Sequence, residues 1–289
     1  MIKLVDFPCK YRDAAGFSQE IIDKTALSFP ESYYDSTSMA SLATAVKEEK
    51  AFPFCVLPFC HTVEAEALGG KINPGNGRIG PRPQEYAYAS IEDLLQVPPI
   101  DFSKGRIHQV LLACSLFKER GERVALEICG PYTILSCLMD ISLVFKAWRK
   151  DPQLVENLFA FINDNLLHYF KAACEAGVDI ISYADPAGSL NILGPKYMEK
   201  TACLFTLPFL QKATKITAGK ALIHLCPQTT FILTGLDMAE FVDIAIPGAT
   251  SYAAAAMAAI GKADIIGQAC LQENSLYLNT GNIKAIRLK

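Results

Sequence analysis

The chain has 289 residues, 51% of them hydrophobic and 20% charged, with a net charge of −3. That length and apolar content suffice for a large buried core, and the slight acidity offers nothing to a nucleic acid or an anionic membrane. No apolar run is long enough to span a bilayer, and the opening Met1-Ile-Lys-Leu-Val-Asp-Phe-Pro8 lacks the layout of a secretory signal. The chain is therefore expected in the cytoplasm with its ten cysteines reduced.

In chain order, residues 1–50 read as a helical extension, with Ser18 placed to cap 19–26 and an Ala/Met/Leu/Val face over 38–50. Residues 52–60 form a short apolar run punctuated by proline, a strand end or an extended lead-in. The glycine- and proline-rich stretch 69–83 reads as a loop. Residues 91–119 read as helical around the Pro98-Pro99 break. From there strands (124–128, 178–183, 221–225, 242–246, 263–266) alternate with helices (131–139, 152–176, 197–218, 251–260). Such alternation implies right-handed crossovers and a parallel sheet. Closed on itself, that sheet is a TIM-type (β/α)8 barrel, which suits this length. The open doubly wound alternative lacks a Gly-x-Gly-x-x-Gly turn. With no linker or repeat, residues 1–289 read as one α/β domain with an N-terminal helical extension.

Polar residues follow directly on the apolar strand runs, at the end where barrels gather their chemistry. His224 and Cys226 stand two apart in Ala221-Leu-Ile-His-Leu-Cys226, so on a strand both face the same way. A borderline nitrogen beside a soft sulfur suits zinc, and Cys270 is the leading third ligand. Glu64 and Glu66 read either as an oxygen ligand or substrate-orienting pair, or as exposed carboxylates at a helix start. Asp185 reads as a binder of a polar substrate group, as a hydrogen-bond partner of His224, or as an Asp-Pro turn former. Cys114, Cys129, Cys137, Cys174 and Cys203 lie in apolar runs and read as small buried hydrophobes. Cys60 and His61 are adjacent on an extended stretch, where neighbours point apart, and are not paired as ligands.

These strings together resemble the uroporphyrinogen decarboxylase superfamily, in its corrinoid-dependent methyltransferase branch. The resemblance runs from about residue 52 onward. It is carried by Glu64-Ala-Glu66, Gly130-Pro-Tyr-Thr133, Glu175-Ala-Gly-Val-Asp179, Ala184-Asp-Pro-Ala-Gly188, His224-x-Cys226 and Thr280-Gly-Asn-Ile283. The Glu-Ala-Glu and His-x-Cys strings are the specific ones. The resemblance implies a barrel with zinc in its mouth, held by His224, Cys226 and a distal cysteine. That branch sets its third cysteine farther along, after another βα unit; here Cys270 stands 44 positions after Cys226 and takes that place. The implied reaction moves a methyl group from a methyl-corrinoid (cobamide) on a partner corrinoid protein to a small-molecule acceptor. That acceptor is a thiol such as coenzyme M, or tetrahydrofolate. The residue chemistry agrees, because only a thiolate is a good sulfur nucleophile and metal coordination deprotonates a thiol. Two other readings stand beside it. One is a tetrapyrrole decarboxylase, which the sparse arginines (Arg12, Arg78, Arg82) disfavour; the other is a non-catalytic zinc-binding or corrinoid-partner protein.

Overall fold

Seven strands rich in aliphatic residues make the main sheet in the computed structural model, which describes residues 15–248, 250–272 and 276–289. They are β1 (Cys55–Leu57), β2 (Val124–Cys129), β3 (Ile180–Ala184), β4 (Leu222–Leu225), β5 (Ala239–Ala245), β6 (Ile265–Ile266) and β7 (Asn282–Leu288). Their spatial order is β1-β2-β3-β4-β6-β7-β5. The first five in that order are parallel neighbours. Helices link them: Gly105–Glu119 before β2, Pro152–Glu175 before β3 and Leu207–Thr217 before β4.

Period-two alternation divides the side chains of these strands between two apolar layers. Leu126, Ile128, Ile181, Tyr183, Ile223 and Leu225 join the large outer cluster with the helices. Ala125, Ile180 and Leu222 join a smaller inner cluster with Phe54, Tyr252 and Ile266. Five parallel strands with their crossover helices outside and an apolar interior are the TIM-type α/β barrel architecture expected from the alternation. The C-terminal part departs from eightfold regularity. β7 runs antiparallel to both β6 and β5, pairing with β5 over seven residues from Asn282↔Ala245 to Leu288↔Ala239. The helix Tyr252–Ala259 turns its small residues Ala253, Ala255, Ala256 and Ala259 into the inner cluster.

Several expected elements shift. The stretch 69–83 is not simply a loop: Lys71–Asn73 pairs with Arg82–Glu85 in an antiparallel ribbon. Gly75 turns that ribbon at φ +70°, where a Cβ would lie 2.0 Å from the Ile79 carbonyl oxygen. The helical segment expected from 197 starts at Leu190, breaks at Gly194, and passes through a π-turn (Ala202–Thr206) into Leu207–Thr217. The strand expected at 242–246 begins earlier, at Ala239. Cys174 is half-buried and Cys203 exposed, because Ala202 and Phe205 are the π-turn residues that face the core; Cys114, Cys129 and Cys137 are buried as expected. None of the nine described cysteines forms a disulfide among the described residues.

In the N-terminal extension, Ser18 caps the helix Gln19–Thr25 by accepting from the Ile21 amide at 3.2 Å. Asp35 caps Ser36–Lys50 through the Ser38 amide at 2.8 Å. Residues 1–14 of that extension lie outside the described residues.

Candidate active site

Strand register decides which side chains meet at the C-terminal end of the parallel strands. Glu127 of β2 stands beside Ser182 of β3, Ser182 beside His224 of β4, and His224 beside Ile266 of β6. Glu127, Ser182 and His224 each lie two residues beyond an inner-cluster side chain (Ala125, Ile180, Leu222), so the same face carries an apolar floor and a polar row above it. A cavity of about 40 Å³ opens over this row and is also bounded by His61, Cys226, Cys270 and Gln272.

His224 is 2% exposed, and its ring is anchored at both nitrogens. Nε2 lies 2.9 Å from the Ala269 carbonyl oxygen, which only accepts, so Nε2 carries the proton. Nδ1 therefore holds the lone pair, and the Ser182 hydroxyl donates to it at 3.0 Å. Burial pushes the His224 pKa down to about 4, which keeps the ring neutral. A neutral imidazole whose outer N–H is tied to a carbonyl is the state in which histidine binds metals. Among the described residues, no three His, Cys, Asp or Glu side chains form a closed metal cluster as they lie. The three expected ligands, His224, Cys226 and Cys270, nevertheless border one cavity. An imidazole lone pair with two thiols is a donor set that fits zinc.

The three carboxylates expected at the site are held by other partners and are not among the residues lining the cavity. Glu64 is 1% exposed, which removes the reading of an exposed helix-start carboxylate. Its Oε1 accepts from the Cys129 amide at 2.8 Å, and burial raises its pKa. Glu66 pairs with the buried Arg106 at 2.5 Å, and Arg106 also donates to Thr62 Oγ1 (2.7 Å) and Cys60 Sγ (3.1 Å). Burial raises the Glu66 pKa, against the pull of Arg106. Asp185 accepts from the Tyr132 amide (3.2 Å), the Thr133 amide (2.7 Å) and the Thr133 hydroxyl (2.7 Å). It thus caps the helix Pro131–Leu138 from the neighbouring strand, satisfying amides that no helical carbonyl reaches. A Cβ at Gly130 would lie 2.4 Å from the Asp185 Cβ, so the Gly-Pro-Tyr-Thr and Ala-Asp-Pro strings are two halves of one packing unit. His224 takes its hydrogen bonds from Ser182 and Ala269, not from Asp185.

Four polar residues of the cavity had no site role in the sequence reading: His61, Glu127, Ser182 and Gln272. Glu127 is the one charged residue within β2, and that interruption was a usable signal. The adjacent Cys60 and His61 do part company, as expected for neighbours on an extended stretch: Cys60 turns to Arg106 and His61 to the cavity.

The family model for uroporphyrinogen decarboxylase (URO-D) matches residues 8–282. The chain belongs to this family. Among its relatives, methylcobamide:CoM methyltransferase MtaA of Methanosarcina barkeri is 28% identical over 252 residues, covering 86% of this chain and 73% of that protein. Methylcobamide:CoM methyltransferase MtbA of Methanosarcina acetivorans is 25% identical over 221 residues, covering 75% of this chain and 65% of that one. A solved structure of a methyltransferase from Methanosarcina mazei superposes with a TM-score of 0.61 at 27% identity. It covers 79% of this chain and 69% of its own.

Proposed function

We propose that this URO-D family member is a methyltransferase that moves a methyl group from a methylated corrinoid, carried by a partner protein, to a small thiol. The observation that carries the reading is the shared cavity of His224, Cys226 and Cys270 at the C-terminal ends of the parallel strands. The methyltransferase relatives support the kind of reaction. Zinc bound by these three residues supplies the means of holding an acceptor thiol as its thiolate. The chain's own residues prepare that chemistry. The Ala269 carbonyl holds the proton on Nε2 of His224, so the Nδ1 lone pair, which accepts from the Ser182 hydroxyl as the residues lie, is the one a metal would take by displacing that hydroxyl. The apolar floor of Ala125, Ile180 and Leu222 limits water beneath the reacting sulfur. In the transfer, a sulfur lone pair forms the S–CH3 bond, the electron pair of the cobalt–carbon bond stays with the donor, and the thiol proton leaves to solvent.

Two features favour this reading over its alternatives. Among the described residues no lysine or arginine lines the cavity, whereas a tetrapyrrole bearing several propionates needs cations to hold it. A cavity of about 40 Å³ also suits a small thiol better than tetrahydrofolate. No helix among the described residues is long and apolar enough to cross a membrane.

The test is metal content and methyl transfer measured side by side, with methylcobalamin as donor and 2-mercaptoethanol as acceptor. Wild type is expected to hold zinc and methylate the thiol, and His224→Ala, Cys226→Ser and Cys270→Ser to lose both. Wild type that is fully zinc-loaded yet inert with every thiol tried would leave a binding protein instead. Full zinc retention in Cys270→Ser would remove that residue from the ligand set.

A further inference from the structure

We infer that Ser182 exchanges partners during binding: its hydroxyl keeps the Nδ1 lone pair of His224 occupied while no metal is bound, and passes to the acceptor sulfur once a metal takes that lone pair. This rests on the methyltransferase reading of the same cavity. Ser182 is 5% exposed, and its Oγ stands 3.0 Å from Nδ1 of His224. The Ala269 carbonyl holds the proton on Nε2, so the hydroxyl is the donor and Nδ1 the acceptor. Strand register fixes this meeting, because Ser182 of β3 pairs with His224 of β4 on one side and with Glu127 of β2 on the other. On its own strand Ser182 lies between Ile180 of the apolar floor and Ala184, which lines the cavity. Two ladders thus hold its backbone, and what can change is the rotation of its side chain among staggered wells.

A metal and a hydroxyl cannot share one lone pair. When His224 becomes a ligand, Ser182 is left with a buried O–H donor and no imidazole to receive it, a state that costs free energy. Ser182 is the one hydroxyl among the described residues lining the cavity, and it borders the same space as Cys226 and Cys270, where an acceptor sulfur would sit. A sulfur held as its thiolate is ionised, and hydrogen bonds to ionised acceptors are roughly twice as strong as those to neutral ones. The hydroxyl therefore loses a neutral acceptor to the metal and gains a stronger one with the substrate. No proton is transferred; the O–H bond stays intact and only its acceptor changes. The consequence is a pair of opposite effects on two binding steps. Ser182 opposes the metal and favours the thiol.

Two dissociation constants test this: that of zinc for chelator-treated protein, by competition with a chromophoric chelator, and that of 2-mercaptoethanol for zinc-loaded protein, by calorimetry. In Ser182→Ala zinc should bind about three- to tenfold more tightly, the worth of one neutral hydrogen bond that no longer competes for Nδ1. The thiol should bind about tenfold more weakly, for want of the bond to its sulfur. Ser182→Thr keeps a hydroxyl on a residue suited to a strand and should return both constants to near the wild-type values. Weakening of both steps in Ser182→Ala is what a merely structural role would give, and it would overturn the inference. Unchanged thiol binding would overturn it too, by sending the displaced hydroxyl to another acceptor such as the Glu127 carboxylate. Either result leaves the methyltransferase reading intact. Wild type that takes up no zinc, or zinc-loaded wild type that binds no thiol, would instead sink that reading and this inference with it.

Discussion

Glu64 sits where a charge is hard to keep. Its carboxyl is buried, and burial is the leading cause of its raised pKa, with the Cys129 amide pulling the other way. The folded protein therefore holds a proton on Glu64 at pH values where the unfolded chain has released it. Stability falls as pH rises through the window above the ordinary value near 4.5, and the penalty is complete above the raised value. Glu64→Gln keeps an acceptor for the Cys129 amide and removes the charge. It should be more stable than wild type at pH 8, with the advantage narrowing toward pH 4.5; urea unfolding across that range checks the slope. Glu64→Ala leaves the amide without its partner and should cost about 1–3 kcal/mol at every pH. A Gln variant less stable than wild type at pH 8 would mean that the charge itself is favourable there. At this scale the sequence showed His224 and Cys226, because spacing along one strand is local. Ser182 stayed hidden, because its meeting with His224 depends on the register of two strands that are 42 residues apart in sequence.

The helix Ser36–Lys50 shows how much an element's end depends on one residue. Ala51 is at φ +51°, in the left-handed region, and its amide returns to the Glu48 carbonyl at 3.2 Å while the Phe52 amide returns to Lys47 at 3.0 Å. This is a Schellman ending with the buried Phe52 as its apolar contact, and glycine is the residue that takes such a position without strain. Ala51→Gly should raise stability by about 0.5–1 kcal/mol, the relief of left-handed strain exceeding the added freedom of the unfolded chain. A thermal midpoint unchanged or lowered by the substitution would contradict this. The same contrast between local and distant causes governs which elements were legible. β2, β3 and β4 are mainly apolar runs bounded by turn residues, each broken by one polar position of the site, and their helices show a clear period, so both were readable. The ribbon at 71–85 carries few apolar residues, and its strands exist because they pair with each other. The direction of β7 was equally out of reach, since pairing with β5 and β6 fixes it and a strand's own sequence carries no arrow.

At the scale of the whole molecule, the candidate metal ligands join parts of the barrel that otherwise meet sparingly. β6 contributes two residue pairs to β4 and one to β7, and the His224–Ala269 bond is one further tie across that seam. Cys226 begins the helix Pro227–Gly235, and Cys270 follows β6, so an ion held by both would span the seam between the regular parallel half and the antiparallel C-terminal part. An ion that binds only the folded chain stabilises it by mass action, about 2.7 kcal/mol at a hundredfold excess over Kd. For a chain of this size that corresponds to a rise of roughly 5 °C in Tm. Zinc added to chelator-treated protein should therefore raise Tm by about that amount in wild type. In Cys226→Ser and Cys270→Ser the rise should be largely lost. Hydrogen exchange resolves where the gain falls. Protection should increase in β4, β6 and 267–272, across the seam, while β1 and β2 stay as they were. A Tm rise of equal size in all three proteins would place the ion elsewhere, and with it the chemistry assigned to this cavity.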